Sequence, residues 1–113
     1  MSRNYSIDSL REIASGDEDF MKIVALTFLE EIPPDLSSME EAISNDNKEL
    51  AYQFAHKMKP NLEMFGIDVM KDVASIESWT KSNKPSSSID ANVERVTMIV
   101  GKVFNELKED FPN

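Results

Sequence analysis

Apolar residues recur at three- and four-residue spacing along most of this chain, which is the period of an amphipathic α-helix. Over residues 17–32 the predicted apolar stripe consists of Phe20, Ile23, Val24, Phe28 and Ile32. Pro33 and Pro34 follow directly, and proline lacks the amide hydrogen that a helix interior requires. We therefore expect the helix to kink or break there, with the apolar spacing resuming up to residue 43.

Start and stop signals divide the chain into five helical segments. A short first segment over residues 7–14 ends at Gly16 and Asp17, and residues 44–47 form a polar turn after the second. The third runs from Lys48 to its C-terminal cap at Gly66, and the fourth covers residues 68–80. Residues 81–88 are a serine-rich connector, after which Asp90 is expected to cap a last helix reaching residue 108. This pattern predicts an all-α fold: an up-down antiparallel four-helix bundle with a short extra N-terminal helix.

Length and composition limit the possible functions. A chain of 113 residues is expected to form one domain, here residues 1–113 with a core over about residues 5–108. The absence of cysteine excludes disulfides, thiol catalysis and thiolate metal sites, and a single histidine excludes multi-histidine metal sites. We therefore expect neither a bound metal nor a cofactor.

The charge balance is acidic, with 12 Lys and Arg against 21 Asp and Glu and a net charge of −9. Proteins that bind nucleic acid depend on clustered basic residues, so no nucleic-acid partner is expected. The longest apolar run is too short to span a membrane, and the first ten residues lack the apolar core of a signal peptide. The expectation is a cytoplasmic, monomeric protein without a membrane partner.

The only histidine, His56, lies in the third predicted helix. Successive residues of an α-helix are about 100° apart, which places the apolar side chains of this helix opposite the imidazole. We therefore expect His56 to face solvent on the outer side of a bundle helix. The opposite, core-facing positions are Ala51, Phe54, Met58, Leu62 and Phe65.

An exposed neutral imidazole has a free ring nitrogen that can attack phosphorus. Lys59, three residues on, shares the face of His56 and can offset the charge of a phosphoryl oxygen, and Lys57 on the flank can assist at longer reach. A lone histidine on a polar helix face is more often ordinary solvated surface. The two lysines favour a function for it without specifying one.

The same helix suggests a docking surface around His56. Tyr52, Gln53 and Met64 flank the histidine without belonging to the apolar stripe. An exposed aromatic residue and a methionine are typical of the apolar part of a protein interface. The alternative interpretation, that Tyr52 and Met64 pack against a neighbouring helix, has equal weight.

The run Ala55-His56-Lys57-Met58-Lys59, followed by Phe65-Gly66, resembles the signature of histidine-containing phosphotransfer (HPt) domains. That signature reads Ala-His-x-Leu-Lys-Gly, with a Leu-Gly pair ten residues past the histidine. Leu10, Phe20 and the run 28–30 before a proline resemble the first two helices of the family. Ile76-Glu77 resembles a hydrophobic–Glu pair in the helix after the signature. The resemblance covers about residues 5–108.

The resemblance implies a four-helix bundle that relays a phosphoryl group between receiver-domain aspartates of a multistep two-component phosphorelay. His56 matches the phosphorylated histidine, Lys59 the lysine beside it and Gly66 the glycine that ends the active helix. The implied partners are receiver domains of response regulators and of hybrid sensor histidine kinases. Members of the family have no kinase or hydrolase activity of their own, and the partner receiver supplies Mg²⁺.

Two departures from the family pattern lie on the face of His56. Pro60 replaces the usual glycine and removes the amide that would bond the His56 carbonyl, which is expected to kink the helix. The kink either re-aims His56 or is merely accommodated at an exposed face. Glu63 replaces a small residue and would repel an acidic partner. Its distance of about 10 Å along the helix axis leaves a modest effect after screening.

Two alternatives to a relay protein remain open from the sequence. In the first, the bundle is a docking module that binds a receiver or sensor kinase without being phosphorylated, and Pro60 and Glu63 indicate that phosphotransfer activity has been lost. In the other, it is an unrelated acidic bundle with a coincidental His-x-x-Lys. A His56 buried in the core would favour this last alternative.

Overall fold

The computed structural model describes residues 3–112, and within them every regular element is helical. The all-α class predicted from the sequence is confirmed. The elements are α1 (Ile7–Ile13), α2 (Glu18–Ser44), α3 (Lys48–Met64), α4 (Met70–Thr80), a single 3₁₀ segment (Ser86–Ile89) and α5 (Asp90–Asp110).

Polar side chains cap the first three helices. Ser6, Asp17 and Asn47 each accept a hydrogen bond from the amide three residues further on, at 3.1 to 3.2 Å. Each cap satisfies an amide that has no partner inside the helix. The expected cap of the last helix is wrong, because Asp90 is its first residue and the cap position is Ile89. The 3₁₀ segment leads directly into α5, so no side-chain cap is used there.

A kink or a break was expected at Pro33 and Pro34, and the break does not occur, since α2 is one continuous helix of 27 residues. Each proline removes one backbone hydrogen bond, and Pro33 is half-buried while Pro34 is exposed. Buried Ile32 and Leu36 hold the helix on the core on both sides of the pair. Packing of the flanking turns therefore keeps the helix continuous where local propensity favours a stop.

The core-facing stripe of α2 differs in part from the predicted one. Phe20 and Ile23 are 44% and 58% exposed. The side chains that face the core at this helical spacing are Met21, Ala25, Phe28 and Ile32. Both stripes have helical spacing and share Phe28 and Ile32, so periodicity alone did not distinguish them. Of the residues in which the two stripes differ, the large apolar Phe20 and Ile23 lie on the exposed side.

The long helices pack as neighbours: α2 on α3, α3 on α4, α4 on α5, and α5 back on α2, with α1 against α2. Phe65 packs in the core with its ring centroid 4.3 Å from that of Phe28. The radius of gyration is 14.6 Å, above the value of about 13 Å typical of this length, because α2 alone spans about 40 Å. With α2 on one side and α4 on the other, α3 keeps its outer face exposed.

The segment before α1 ties the C-terminal end of α5 to the end of α3. Arg3 forms an ion pair with Asp110 at 2.6 Å, and the Tyr5 hydroxyl donates a hydrogen bond to the same carboxylate. The amide of Ser6 donates to the carbonyl of Phe65 at 2.7 Å. Tyr5 is only 4% exposed, so this segment belongs to the core.

We expect the ionisation of Tyr5 to destabilise the fold at alkaline pH. Burial raises the pKa of Tyr5 above its ordinary value of 10.0, and the hydrogen bond to Asp110 raises it further. The folded state thus favours the neutral phenol, a contribution that is complete below pH 10 and is lost as the pH rises through the folded pKa. Above pH 10 wild type should lose up to about 1.4 kcal/mol per pH unit more than Tyr5→Phe, measured by urea unfolding. Parallel pH profiles for the two proteins would contradict this.

Gly66 ends α3 in a Schellman motif. Its amide donates to the carbonyl of Glu63 at 2.9 Å, and the amide of Ile67 donates to that of Leu62 at 3.1 Å. The φ angle of Gly66 is +66°, and an added Cβ would lie 2.8 Å from the Cβ of Ser6. Both the backbone conformation and the approach of the N-terminal segment therefore require glycine here. The predicted C-terminal cap of the third helix is confirmed.

We expect Gly66→Ala to be the most destabilising of three glycine-to-alanine changes. Gly16→Ala, with φ +79° and free space around the site, should cost about 1–2 kcal/mol from the left-handed backbone alone. Gly66→Ala adds the clash with Ser6 and should cost more. Gly101→Ala, within α5 and in open space, should stabilise by about 0.5–1 kcal/mol. Urea unfolding of the three variants tests this order, and equal losses for Gly16→Ala and Gly66→Ala would contradict it.

Candidate functional site

His56 lies on the outer face of α3, with 64% of its side chain exposed. The opposite face of the helix is buried, and it is formed by Ala51, Ala55, Met58 and Leu62. The predicted solvent-facing position of the imidazole is therefore confirmed. The relay hypothesis and the docking-module hypothesis both require this exposure. A buried ring would have favoured the third hypothesis, an unrelated acidic bundle with a coincidental His-x-x-Lys.

Glu77 of α4 connects the two candidate residues. One carboxylate oxygen lies 3.2 Å from Nδ1 of His56, and the other accepts a hydrogen bond from Nζ of Lys59 at 3.3 Å. Only 14% of the Glu77 side chain is exposed, against 38% for Lys59. The carboxylate thus lies beneath the imidazole and the ammonium group and holds both at the surface.

The sequence analysis did not select Glu77 as a site residue. The only sequence feature that included Glu77 was the pair Ile76-Glu77, which contributed to the family resemblance. Buried Ile76 fixes the core-facing side of α4 and leaves Glu77 at its edge toward α3. Helical periodicity within one segment assigns faces but does not align two helices, so the contact with His56 required the tertiary structure.

Tyr52, one turn before His56, packs on the imidazole itself. The two ring centroids are 5.4 Å apart and the ring planes differ by 11°, a stacked arrangement. Nζ of Lys81 lies 5.3 Å from the Tyr52 centroid on the phenol ring, within cation–π range. Tyr52 therefore contacts the candidate nucleophile directly. The open cleft at this position, of about 400 Å³, is lined by Tyr52, His56, Lys59, Ala74, Glu77, Ser78 and Lys81.

Lys57 lies on the other side of α3 from this cleft. Its Nζ pairs with the carboxylate of Asp35 in α2 at 3.1 Å, and only 10% of the Asp35 side chain is exposed. The two lysines next to His56 are thus directed to different neighbouring helices. Of the two, Lys59 is the one that shares a carboxylate with the histidine.

Gln53, Pro60 and Glu63 are exposed along the outer surface of α3. The helix continues through Pro60 to Met64. Pro60 has no amide hydrogen to donate to the His56 carbonyl, which leaves that acceptor without its usual helical partner. Glu63 lies about 10 Å along the axis from His56.

Met64 and Gly66 lie apart from the His56 cleft. Met64 is 37% exposed. It lines a separate shallow groove of about 240 Å³ together with Phe20 and Ile23 of α2. Gly66 follows His56 by ten residues, about 15 Å along the axis, and contacts the N-terminal segment. Of the predicted partner-binding residues, Tyr52 is the one that lines the cleft with His56 and Lys59.

Among residues 3–112, no three His, Cys, Asp or Glu side chains are grouped so as to hold a metal ion. None of the helices over the same residues combines the length and apolarity needed to cross a membrane.

The cleft presents a solvent-accessible imidazole with one nitrogen against a carboxylate, next to an ammonium group. Such a histidine can act as a nucleophile or as a proton carrier. Comparison with known protein families, with curated proteins and with solved structures finds no match to this chain.

Proposed function

We propose that this protein is a histidine phosphotransfer protein that relays a phosphoryl group between receiver-domain aspartates through His56. In this proposal the helices form the up-down antiparallel four-helix bundle of HPt domains, with α1 as the extra N-terminal helix. The observation that carries the proposal is the exposed imidazole on the outer face of α3, which shares the carboxylate of Glu77 with Lys59. The Ala-His-x-x-Lys run and Gly66 supply the family resemblance.

The chemistry follows from the exposed ring nitrogen. The lone pair of Nε2 attacks the phosphorus of a receiver's aspartyl phosphate, the N–P bond forms, and the P–O bond to the aspartate breaks with its electron pair leaving on the carboxylate. Attack by the aspartate of a second receiver on phosphohistidine reverses these steps. Lys59 offsets the charge of the phosphoryl oxygens during both transfers. Mg²⁺ and the aspartate belong to the receiver.

The partners in this proposal are receiver domains of response regulators and of hybrid sensor histidine kinases. A receiver must bring its aspartate close to the imidazole, and 64% exposure of the His56 side chain leaves that approach open. One phosphoryl group passes through one histidine, so a monomer is sufficient for the relay.

The test is phosphoryl transfer from labelled receivers. A panel of phosphorylated receiver domains from the same source is mixed with the protein, and the label is followed over seconds to minutes. We expect label on the protein that is stable to alkali and lost in acid, as for phosphohistidine, and that moves on to a second receiver. A folded protein that accepts no label from any member of the panel contradicts the proposal.

A further inference from the structure

Pro60 lies inside α3, four residues after His56, and its side chain is exposed. Proline destabilises a helix interior because it removes one backbone hydrogen bond and its ring crowds the carbonyl four residues earlier. Since Pro60 is exposed, no burial of its side chain offsets this effect. A residue that conflicts with local helical preference without a packing gain is typical of a functional position.

The carbonyl that loses its partner belongs to His56 itself. The side chain of His56 is 64% exposed, so this carbonyl lies on the solvent side of α3, where helical carbonyls tilt outward. The Pro60 ring tilts it further. Lys57 and Lys59 are directed to carboxylates of α2 and α4. The main chain of His56 thus presents a hydrogen-bond acceptor to solvent next to the imidazole.

Glu63 adds a second acceptor to the same face of α3. It follows His56 by seven residues, which places it about 20° away around the helix and about 10 Å along the axis. Side chains of an α-helix lean toward its N-terminus, so the exposed Glu63 leans toward Pro60 and the His56 carbonyl. A carboxylate and a carbonyl have only acceptor sites. Both departures from the family signature on this face therefore add acceptors beside the histidine.

We propose that the His56 carbonyl and the Glu63 carboxylate form an acceptor pair that binds one basic side chain of the partner, an arginine or a lysine beside its reacting aspartate. This rests on the proposed function, since the partner is a receiver domain. Arginine and lysine have several N–H donors and no acceptor, so one such side chain can bond both oxygens. The pair favours receivers that carry this basic residue over those with an acidic surface at the same point.

The sign of the effect of Glu63 on affinity separates this pairing from simple repulsion of an acidic partner. Titration calorimetry measures binding of an unphosphorylated receiver from the panel. Glu63→Gln keeps the size of the side chain and removes its charge, and it should weaken binding roughly 2- to 5-fold, the range of an exposed ion pair. Equal or tighter binding than wild type overturns the role of Glu63.

Glu49→Gln is the matched control for charge. Glu49 is exposed in α3, seven residues before His56, whereas Glu63 lies seven residues after it. The two variants therefore remove the same charge at about the same distance from the imidazole. Glu49→Gln should leave the affinity unchanged, and a loss equal to that of Glu63→Gln overturns the local pairing.

The role of the carbonyl is tested by restoring the missing amide. Pro60→Ala and Pro60→Gln both return an N–H to the His56 carbonyl, while their side chains differ in size and polarity. Both should weaken binding by the same factor, roughly 3- to 10-fold, as for the loss of one hydrogen bond. Circular dichroism and urea unfolding should show both variants folded and more stable than wild type. Unchanged binding, or losses that differ between the two, overturns the role of the carbonyl.

The basic residue of the receiver is located by double-mutant cycles. The lysines and arginines around its aspartate are replaced by alanine one at a time. One replacement should weaken binding to wild type and have no further effect on binding to Glu63→Gln. Additive losses for every replacement overturn the proposal.

These affinities are measured without phosphate, so the two proposals can fail separately. A receiver that binds as expected but transfers no label contradicts the proposed function and leaves the acceptor pair. A receiver that transfers label while the Glu63 and Pro60 variants bind like wild type contradicts the acceptor pair and leaves the relay. If no receiver of the panel binds wild type, both proposals are wrong.

Discussion

We expect His56→Gln to abolish acceptance of a phosphoryl group, with no label above background on the variant when a receiver labels wild type. Glutamine approximates the polarity and reach of the imidazole but has no nucleophilic ring nitrogen. The side chain of His56 is 64% exposed and faces away from the core, so the substitution removes little packing, and surface changes of this kind usually alter stability by about 0.5 kcal/mol or less. The measurement is the labelling assay with wild type and variant side by side, with unfolding curves to show equal stability.

Binding and transfer need separate readouts in that experiment. A docking module without phosphorylation would bind receivers equally well as wild type and as His56→Gln, with label on neither protein. Titration calorimetry with unphosphorylated receivers measures the binding. Equal labelling of wild type and His56→Gln would place the phosphate on another residue and contradict the role of His56.

The secondary structure was largely predictable because each helix of this chain has its own local signals. The spacing of apolar residues, the polar turn at residues 44–47 and Gly66 at the end of α3 indicated five helices. Three fold predictions fail: one is the cap of α5 by Asp90, and the other two concern α2. Pro33 and Pro34 carry a strong local signal that packing of Ile32 and Leu36 outweighs, and Phe20 and Ile23 are large apolar residues that lie on the exposed side.

The candidate site was predictable only within one helix. The angular positions in α3 placed His56 and Lys59 together on the outer face, as the structure has them. Glu77 and Lys81 come from beyond α3, and their contacts depend on how α4 is aligned against α3. Lys57 shows the same limit, because the angle that put it on the flank did not reveal its pairing with Asp35 of α2.

Lys59→Ala should slow phosphoryl transfer by roughly 10- to 100-fold without abolishing it. In the resting protein Nζ of Lys59 lies 3.3 Å from Glu77, with 38% of its side chain exposed, next to the imidazole. A phosphoryl group on His56 brings two negative charges to this point, and the ammonium group offers a charged hydrogen bond to them. Such a bond contributes about 1.5–3 kcal/mol, which corresponds to the stated range of rates. The measurement is the rate of label transfer from a fixed receiver.

Lys57→Ala is the control for charge, since it removes the same unit charge from the same helix, two residues away. Because Lys57 is directed toward Asp35 and away from the cleft, its removal should change the transfer rate by less than about threefold, a difference of roughly 0.6 kcal/mol. Equal slowing in both variants would mean that the total positive charge of α3, and not its position, affects transfer from the receiver. This would contradict a local role for Lys59.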